Sequence, residues 1–208
     1  MSKQQQTALK TLANHPQISL ARMRPERRTG LTTGHQALDD VLPEGGWPRH
    51  AITELLVAQT GLGEFGLLLP ALAGLNRQGR WVALVAPPWV PYPHALATAG
   101  IDFERVQIVH TDDEKSALWA MHQFLQSGAF SAVLGWPRRL SAQALRKLQL
   151  AAEKGSCAAF LTRPHDTQAQ HSTAALRVLL ERRADQLALT LIKSRGSLYG
   201  RQLCLTLH

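Results

Sequence analysis

Apolar positions along this chain fall into short unbroken runs, separated by stretches in which they recur every three or four residues. That is the pattern of strands alternating with helices. Residues 51–58 form the first run, and turn signals at Pro43–Gly46 and Pro48 precede it. Leu67, Leu68, Pro70, Ala71, Leu72 and Leu75 then recur at helical spacing, and 76–79 closes the helix ahead of a second apolar run at 81–86. Strand, loop, helix, strand reads as a βαβ unit, because parallel strands need such a crossover. The pattern continues with a helix at 92–99 stopped by Gly100 and a short strand at 106–109. A helix at 114–126 follows, with Leu118, Met121 and Leu125 inward, then a strand at 131–136. Next come a helix at 141–154, capped by Ser141 and closed by Gly155, and a strand at 157–161. The reading is an α/β fold, a mostly parallel sheet with helices on both faces.

The two ends read differently. After Arg163 and Pro164 the polar segment at 164–173 predicts an exposed loop, and 174–180 predicts a further helix. Residues 186–193 and 201–207 alternate apolar and polar like a C-terminal antiparallel hairpin that turns near 195–197 or at Tyr199–Gly200. Residues 1–28 are polar without sustained periodicity, although Leu9, Leu12 and Ala13 fit one face of a short helix. They read as a flexible basic arm ahead of a single domain at 29–208.

Composition narrows the class. With 208 residues, 45% of them apolar, the chain can bury a sizeable core, and 18% charged residues do not suggest disorder. Its apolar runs fall short of the roughly 18 residues that cross a membrane, and no apolar stretch follows Lys3, so no membrane contact is expected and the cytoplasm is the expected location. Cys157 and Cys204 form no CxxC pair and read as structural thiols, not as a zinc knuckle. The net charge of +8 is unevenly spread: six basic residues and one acid in 1–28, five and ten in 29–137, twelve and four in 138–208. Basic flanks around an acidic body make an anionic partner plausible, with DNA the commonest specific one. Arg138, Arg139, Arg146 and Lys147, with Arg182, Arg183, Lys193 and Arg195, are the candidates for a phosphate track, against the plainer reading of a solvated face.

Ligands of parallel sheets bind where a strand turns into a helix, because free backbone N–H groups and the helix dipole attract anions there. Here that loop spans 59–66, and Gly61, Gly63 and Gly66 match GxGxxG. A dinucleotide would also need an acid after the next strand, where Ala86, Pro87, Pro88 and Trp89 stand. A P-loop would need Gly-Lys-Ser/Thr, and the chain has Gly63-Glu64-Phe65-Gly66. At about 4 Å a carboxylate in the lysine's place repels a phosphate by roughly 1 kcal/mol in water and about 4 at an effective dielectric of 20. The strand at 131–136 also ends in Gly135-Trp136, with no aspartate for magnesium. The loop Gly61, Gly63, Glu64, Phe65, Gly66 is therefore a degenerate phosphate loop, and Glu64 reads as a carboxylate favoured by the helix dipole. His35, His50, His94, His110 and His122 show no metal spacing, and no GxSxG elbow exists. Asp39-Asp40 and Asp112-Asp113-Glu114 read as helix and turn caps. These patterns supply no catalytic residue, cofactor or metal, and the chain reads as a non-enzyme.

Two family resemblances follow from these residues. Thr33-Gly34, Leu38-Asp39 and Pro43 to Pro48, leading into Ile52-Thr53-Glu54, resemble the entry to the RecA ATPase core. Glu54-Leu55-Leu56, Gly61-Leu62-Gly63-Glu64, Leu68 to Leu72, Ala86-Pro87-Pro88, Gly135-Trp136-Pro137 and Leu148 to Ala152 resemble the ImuA proteins. That resemblance covers roughly 30–208. It implies a RecA-like fold without ATPase activity, and an accessory role in SOS translesion synthesis with RecA and a polymerase-like partner such as ImuB or a DNA polymerase subunit. The stretch from Leu67 to Pro164, with Ser127-Gly128, Val133 to Trp136 and Phe160 to Pro164, also resembles SulA. SulA implies an SOS cell-division inhibitor that binds FtsZ. Chain length and the Thr33 to Pro48 segment favour ImuA. A Trp-Arg-Gly element expected near the ImuA amino terminus is replaced by Arg22 to Arg28.

Overall fold

The computed structural model describes residues 29–194 and 200–207. The arm at 1–28, the turn positions 195–199 and Arg195 among them lie outside the described residues.

After a one-turn helix α1 (Gln36–Asp39), strand β1 (Ile52–Val57) leads through the 59–63 loop into α2 (Glu64–Asn76), and β2 (Trp81–Val85) completes the crossover. Then come α3 (Pro93–Thr98), β3 (Val106–Val109), α4 (Glu114–Gln126), β4 (Phe130–Gly135), α5 (Ala142–Lys154) and β5 (Ala158–Pro164). Strands β6 (Leu176–Arg183), β7 (Gln186–Lys193) and β8 (Gln202–Leu205) close the chain. The helix starts follow their capping chemistry: the Asp113 carboxylate accepts from Ser116 N–H at α4, and the Ser141 hydroxyl accepts from Ala144 N–H at α5. The other acid pair is engaged as well, since Asp39 accepts from the Thr32 hydroxyl and Thr33 N–H.

The strands form one eight-stranded sheet in the order β3-β2-β4-β5-β1-β6-β7-β8. The neighbours from β3 through β6 are parallel, while β7 and β8 add antiparallel ladders at one edge. Alternation splits the core in two. On one face Leu55, Val57, Leu84 and Phe160 pack with Leu67, Leu68 and Leu72 of α2 and with Trp47. On the other, Ile52, Val85, Val133 and Leu161 pack with Met121 and Leu125 of α4 and Leu145 and Leu148 of α5.

The C-terminal third differs from expectation. Residues 176–180 belong not to a helix but to β6, which runs parallel to β1 and antiparallel to β7, and 174–175 lead into it. Leucine, alanine and arginine favour helices locally, but ladders on both sides satisfy every backbone group of a buried strand. The polar segment predicted as an exposed loop carries a short 3-10 turn, His165–Ala169, and buries Thr167 and Ser172 within otherwise exposed chain.

Candidate functional site

The functional features gather at the carboxyl ends of the parallel strands. Where β1 meets α2, Gly61 and Gly63 have φ of 89° and 114°, a left-handed backbone that side chains resist. This geometry turns the amides of both glycines toward the start of the helix. Glu64 folds back onto them: its carboxylate accepts from Gly61 N–H at 2.8 Å and from Gly63 N–H at 3.1 Å, and the residue is 1% exposed. The position that a bound phosphate would take in such a loop is filled by the chain's own carboxylate.

At the end of β4 the Met121 side chain covers Gly135: a Cβ there would lie 2.6 Å from Met121 Sδ, so the flexible end of Met121 would have to move. The following Trp136 sits edge-on to Trp89, ring centres 5.5 Å apart, and Trp89 tilts against Phe65 at 4.7 Å. These rings join the starts of α2 and of the β4–α5 connection across the strand ends.

Beside the loop lies a buried charge network. Glu54, in the middle of β1, is fully buried. Arg163 Nη1 of β5 reaches Glu54 Oε1 at 2.7 Å, and Arg177 Nε of β6 reaches Oε2 at 2.7 Å. Both arginine side chains are almost completely buried. Strand register explains the meeting: Glu54 faces Arg177 directly on β6, and Arg163 sits two places beyond Glu54's partner Leu161 on β5, on the same face. The 165–170 turn caps the network from above. Arg163 Nη2 donates to the Gln170 side chain at 3.2 Å, and the Arg177 Nη atoms donate to the carbonyls of Thr167, Gln168 and Gln170. Lys193, opposite Arg177 on β7, donates from Nζ to the Ser172 carbonyl at 2.5 Å. Partial burial, and then the charge of Arg177, push its ammonium below the usual 10.5, while Glu54 acts the other way.

The network borders a cleft of about 520 Å³ between the ends of β1, β4 and β5, lined by Gln59, Thr60, Trp136, Arg138, Thr162 and Arg163, among others. Of the network's charged residues only Lys193 was singled out in the sequence, as a candidate phosphate contact; Glu54, Arg163 and Arg177 were not. The available signal was Glu54 itself, an acid inside a six-residue apolar strand, which must find a buried partner.

The basic candidates fall at several places in the fold. Arg138 and Arg139 sit in the β4–α5 connection, exposed, and Arg146 and Lys147 are exposed on α5. Arg182 and Arg183 occupy the end of β6, three strand positions from β4, where Arg182 Nε donates to the Ala184 carbonyl and Arg183 pairs with Glu181. Lys193 is half-buried and held by Ser172. Elsewhere basic residues tie main chain, as Arg80 does by donating to the carbonyls of Gly128, Phe130, Gly155 and Ser156. Among the described residues no group of His, Cys, Asp and Glu is arranged to hold a metal ion, and no helix is long and apolar enough to cross a membrane.

These features define an α/β sheet protein whose phosphate loop is closed by its own glutamate. A family model described as cell division inhibitor SulA matches residues 51–159, from β1 into β5. The chain belongs to the SulA family. It is similar to the cell division inhibitor SulA of Photorhabdus laumondii, 32% identical over 111 residues, which make up 53% of this chain and 63% of that protein. It is equally similar to the SulA of Edwardsiella piscicida, 32% identical over 100 residues, 48% of this chain and 60% of that protein. The matched stretches thus span less than two thirds of these relatives. The solved structure of SulA from Pseudomonas aeruginosa aligns with 56% of this chain and 99% of its own at 28% identity, with a TM-score of 0.46.

Family membership corrects three expectations. The chain is not assigned to the RecA-like P-loop class or to ImuA, and the accessory role in translesion synthesis with RecA, ImuB or a DNA polymerase subunit falls with that assignment. The reassignment rests on the family match, because the ImuA reading already expected a loop without the lysine; the structure adds that Glu64 closes the amides such a loop would leave open. At the β4 end stands Gly135, covered by the Met121 side chain, where a nucleotide site would carry an aspartate for magnesium.

Proposed function

We propose that this chain is a damage-induced inhibitor of cell division that acts by binding FtsZ. The observation that carries the reading is the match to the SulA family across 51–159, a stretch that includes the closed loop and the whole β1 to β4 core. A protein that inhibits by contact needs surface, not catalysis. Inside the matched stretch the segment after β2 offers it: Val90 and Tyr92 are 85% and 69% exposed, beside Trp89 packed into the ring cluster. Large apolar side chains held outward on a proline-rich connection support a protein contact there.

Overproduction of the chain should block septation and give filamentous cells. The purified protein should slow FtsZ polymerisation followed by light scattering at equimolar ratio. Replacing Val90 and Tyr92 together by aspartate should weaken inhibition by about tenfold or more while the circular dichroism spectrum stays unchanged. Unimpeded FtsZ polymerisation with an excess of folded wild-type protein would overturn the reading.

A further inference from the structure

Among the described residues, four large apolar side chains are more than half exposed: Val90 and Tyr92 in the segment after β2, and Trp119 and Leu150, at 66% and 54%, on α4 and α5. The two pairs lie on opposite faces of the sheet. Tyr92 caps α3, whose Leu96 packs in the same core as α2, whereas α4 and α5 cover the other face. Between α4 and α5 runs an open groove of about 550 Å³, lined by Leu118, Trp119 and His122 of α4 and by Ala144, Lys147 and Leu148 of α5, among others. Helical spacing places Lys115 one turn before Trp119, and Leu150 one turn after Lys147. An indole held outward beside a leucine-floored groove is surface that soluble proteins keep for contact with other proteins.

Charge specifies the occupant. The two helices carry Lys115, Arg146, Lys147 and Lys154 against Glu114 and Glu153. Both carboxylates are engaged within the chain: Glu114 accepts from Arg139 N–H at 2.6 Å, and Glu153 accepts from the Gln149 side-chain amide at 2.7 Å. No carboxylate occurs among the described residues lining the groove, and Lys147 does line it. An apolar floor with a cationic rim suits an amphipathic helix that carries apolar side chains at i, i+4 and i+7 and carboxylates on its flanks. Each groove helix has 13 residues, about 20 Å of length, enough to seat three to four turns of a partner. The same charge disfavours two nearer occupants. The arm at 1–28 carries six basic residues and one acid. A second copy docked through this face would set Lys147 and its neighbours against an equally positive surface.

We propose that the groove between α4 and α5 docks an acidic amphipathic helix of a partner protein, with Trp119 as the apolar anchor and Lys115 and Lys147 as the charged rim. This site goes beyond the FtsZ reading and lies on the face of the sheet opposite Val90 and Tyr92.

The test pans the purified full chain against a display library of random peptides of about 16 residues, long enough to fill the groove. Enriched peptides are then synthesised and titrated by fluorescence polarisation in low-salt buffer. They should be acidic, with apolar residues at helical spacing. Their affinity should fall about tenfold or more in Trp119→Ala and in Lys147→Glu, both exposed positions at which the circular dichroism spectrum should match the wild type. The variant with Val90 and Tyr92 replaced by aspartate should bind these peptides as the wild type does, so the result is separate from that of the FtsZ assay. Enrichment of basic or uncharged peptides overturns the charge argument. Absence of any enriched peptide, or binding that survives Trp119→Ala or Lys147→Glu, overturns the docking site. Displacement of the peptide by single-stranded DNA or by phosphatidylglycerol vesicles, lost in the same two variants, assigns the face to a nucleic acid or a membrane surface and overturns the proposal.

Discussion

Along the carboxyl ends of the strands, two sets of N–H donors meet opposite fates. In the loop after β1, the amides of Gly61 and Gly63 are both answered by Glu64, and the residue is buried in the act. Nearby, the buried Arg163 Nε and Trp136 Nε1 go unanswered. The first arrangement shows how an anion-attracting loop is retired without being rebuilt: one carboxylate at the first helical position supplies the charge that the helix dipole favours and the acceptors that the amides require. The second set lies beside a network of two cations and one anion in a buried sheet face. The first set gains stability from the chain's own side chain, whereas the second is shut away from protein and solvent acceptors alike.

The comparison breaks most sharply at Glu54. Glu54→Ala leaves Arg163 and Arg177 buried without a counter-charge, a change expected to cost about 3–5 kcal/mol in urea unfolding. If the variant loses less than about 1 kcal/mol, the network does not hold β5 and β6 to β1 and its charge excess is not the feature described above.

Much of the fold was legible because unbroken apolar runs such as 81–86 can hardly be anything but strands in a sheet covered on both faces. The run at 174–180 failed because its composition suits a helix, and only the ladders to β1 and β7 decide otherwise. The closed loop was half legible. Glu64 in place of lysine was plain, but that its carboxylate turns back onto Gly61 and Gly63 depends on left-handed backbone that a sequence only hints at through glycine. The cleft was not legible at all. Trp136 and Arg163 are 27 positions apart in sequence, and whether their N–H groups find partners is a property of packing. The family question turned on the same limit, since short matches in order fit ImuA and SulA alike, and the match over 51–159 separated them.

A smaller effect tests the closed half. Glu64→Ala removes two charge-assisted acceptors at the start of α2, and a loss of about 1–2 kcal/mol is expected. Hydrogen exchange at the amides of Gly61 and Gly63 should accelerate. Unchanged exchange at both amides would show that Glu64 does not close the loop.

The smallest effect lies at the margin of the charge network, at Lys193. Its ammonium is held below 10.5 by partial burial and by Arg177, so at neutral pH the folded protein keeps a proton that it binds less tightly than the unfolded chain does. Between the depressed folded value and 10.5 the unfolded state carries more protons, and stability therefore rises with pH across that window. Cys157 opposes this trend: burial pushes its thiol up to about 12, so from about 9 upward the unfolded chain loses the proton first and stability falls. The informative measurement is the difference between wild type and Lys193→Met in chemical unfolding from pH 8 to pH 10.5, because the contribution of Cys157 is common to both. The difference should shift with pH in favour of the wild type. A constant difference would show that Lys193 does not sense the positive excess around Glu54, and that the excess is confined to the two arginines.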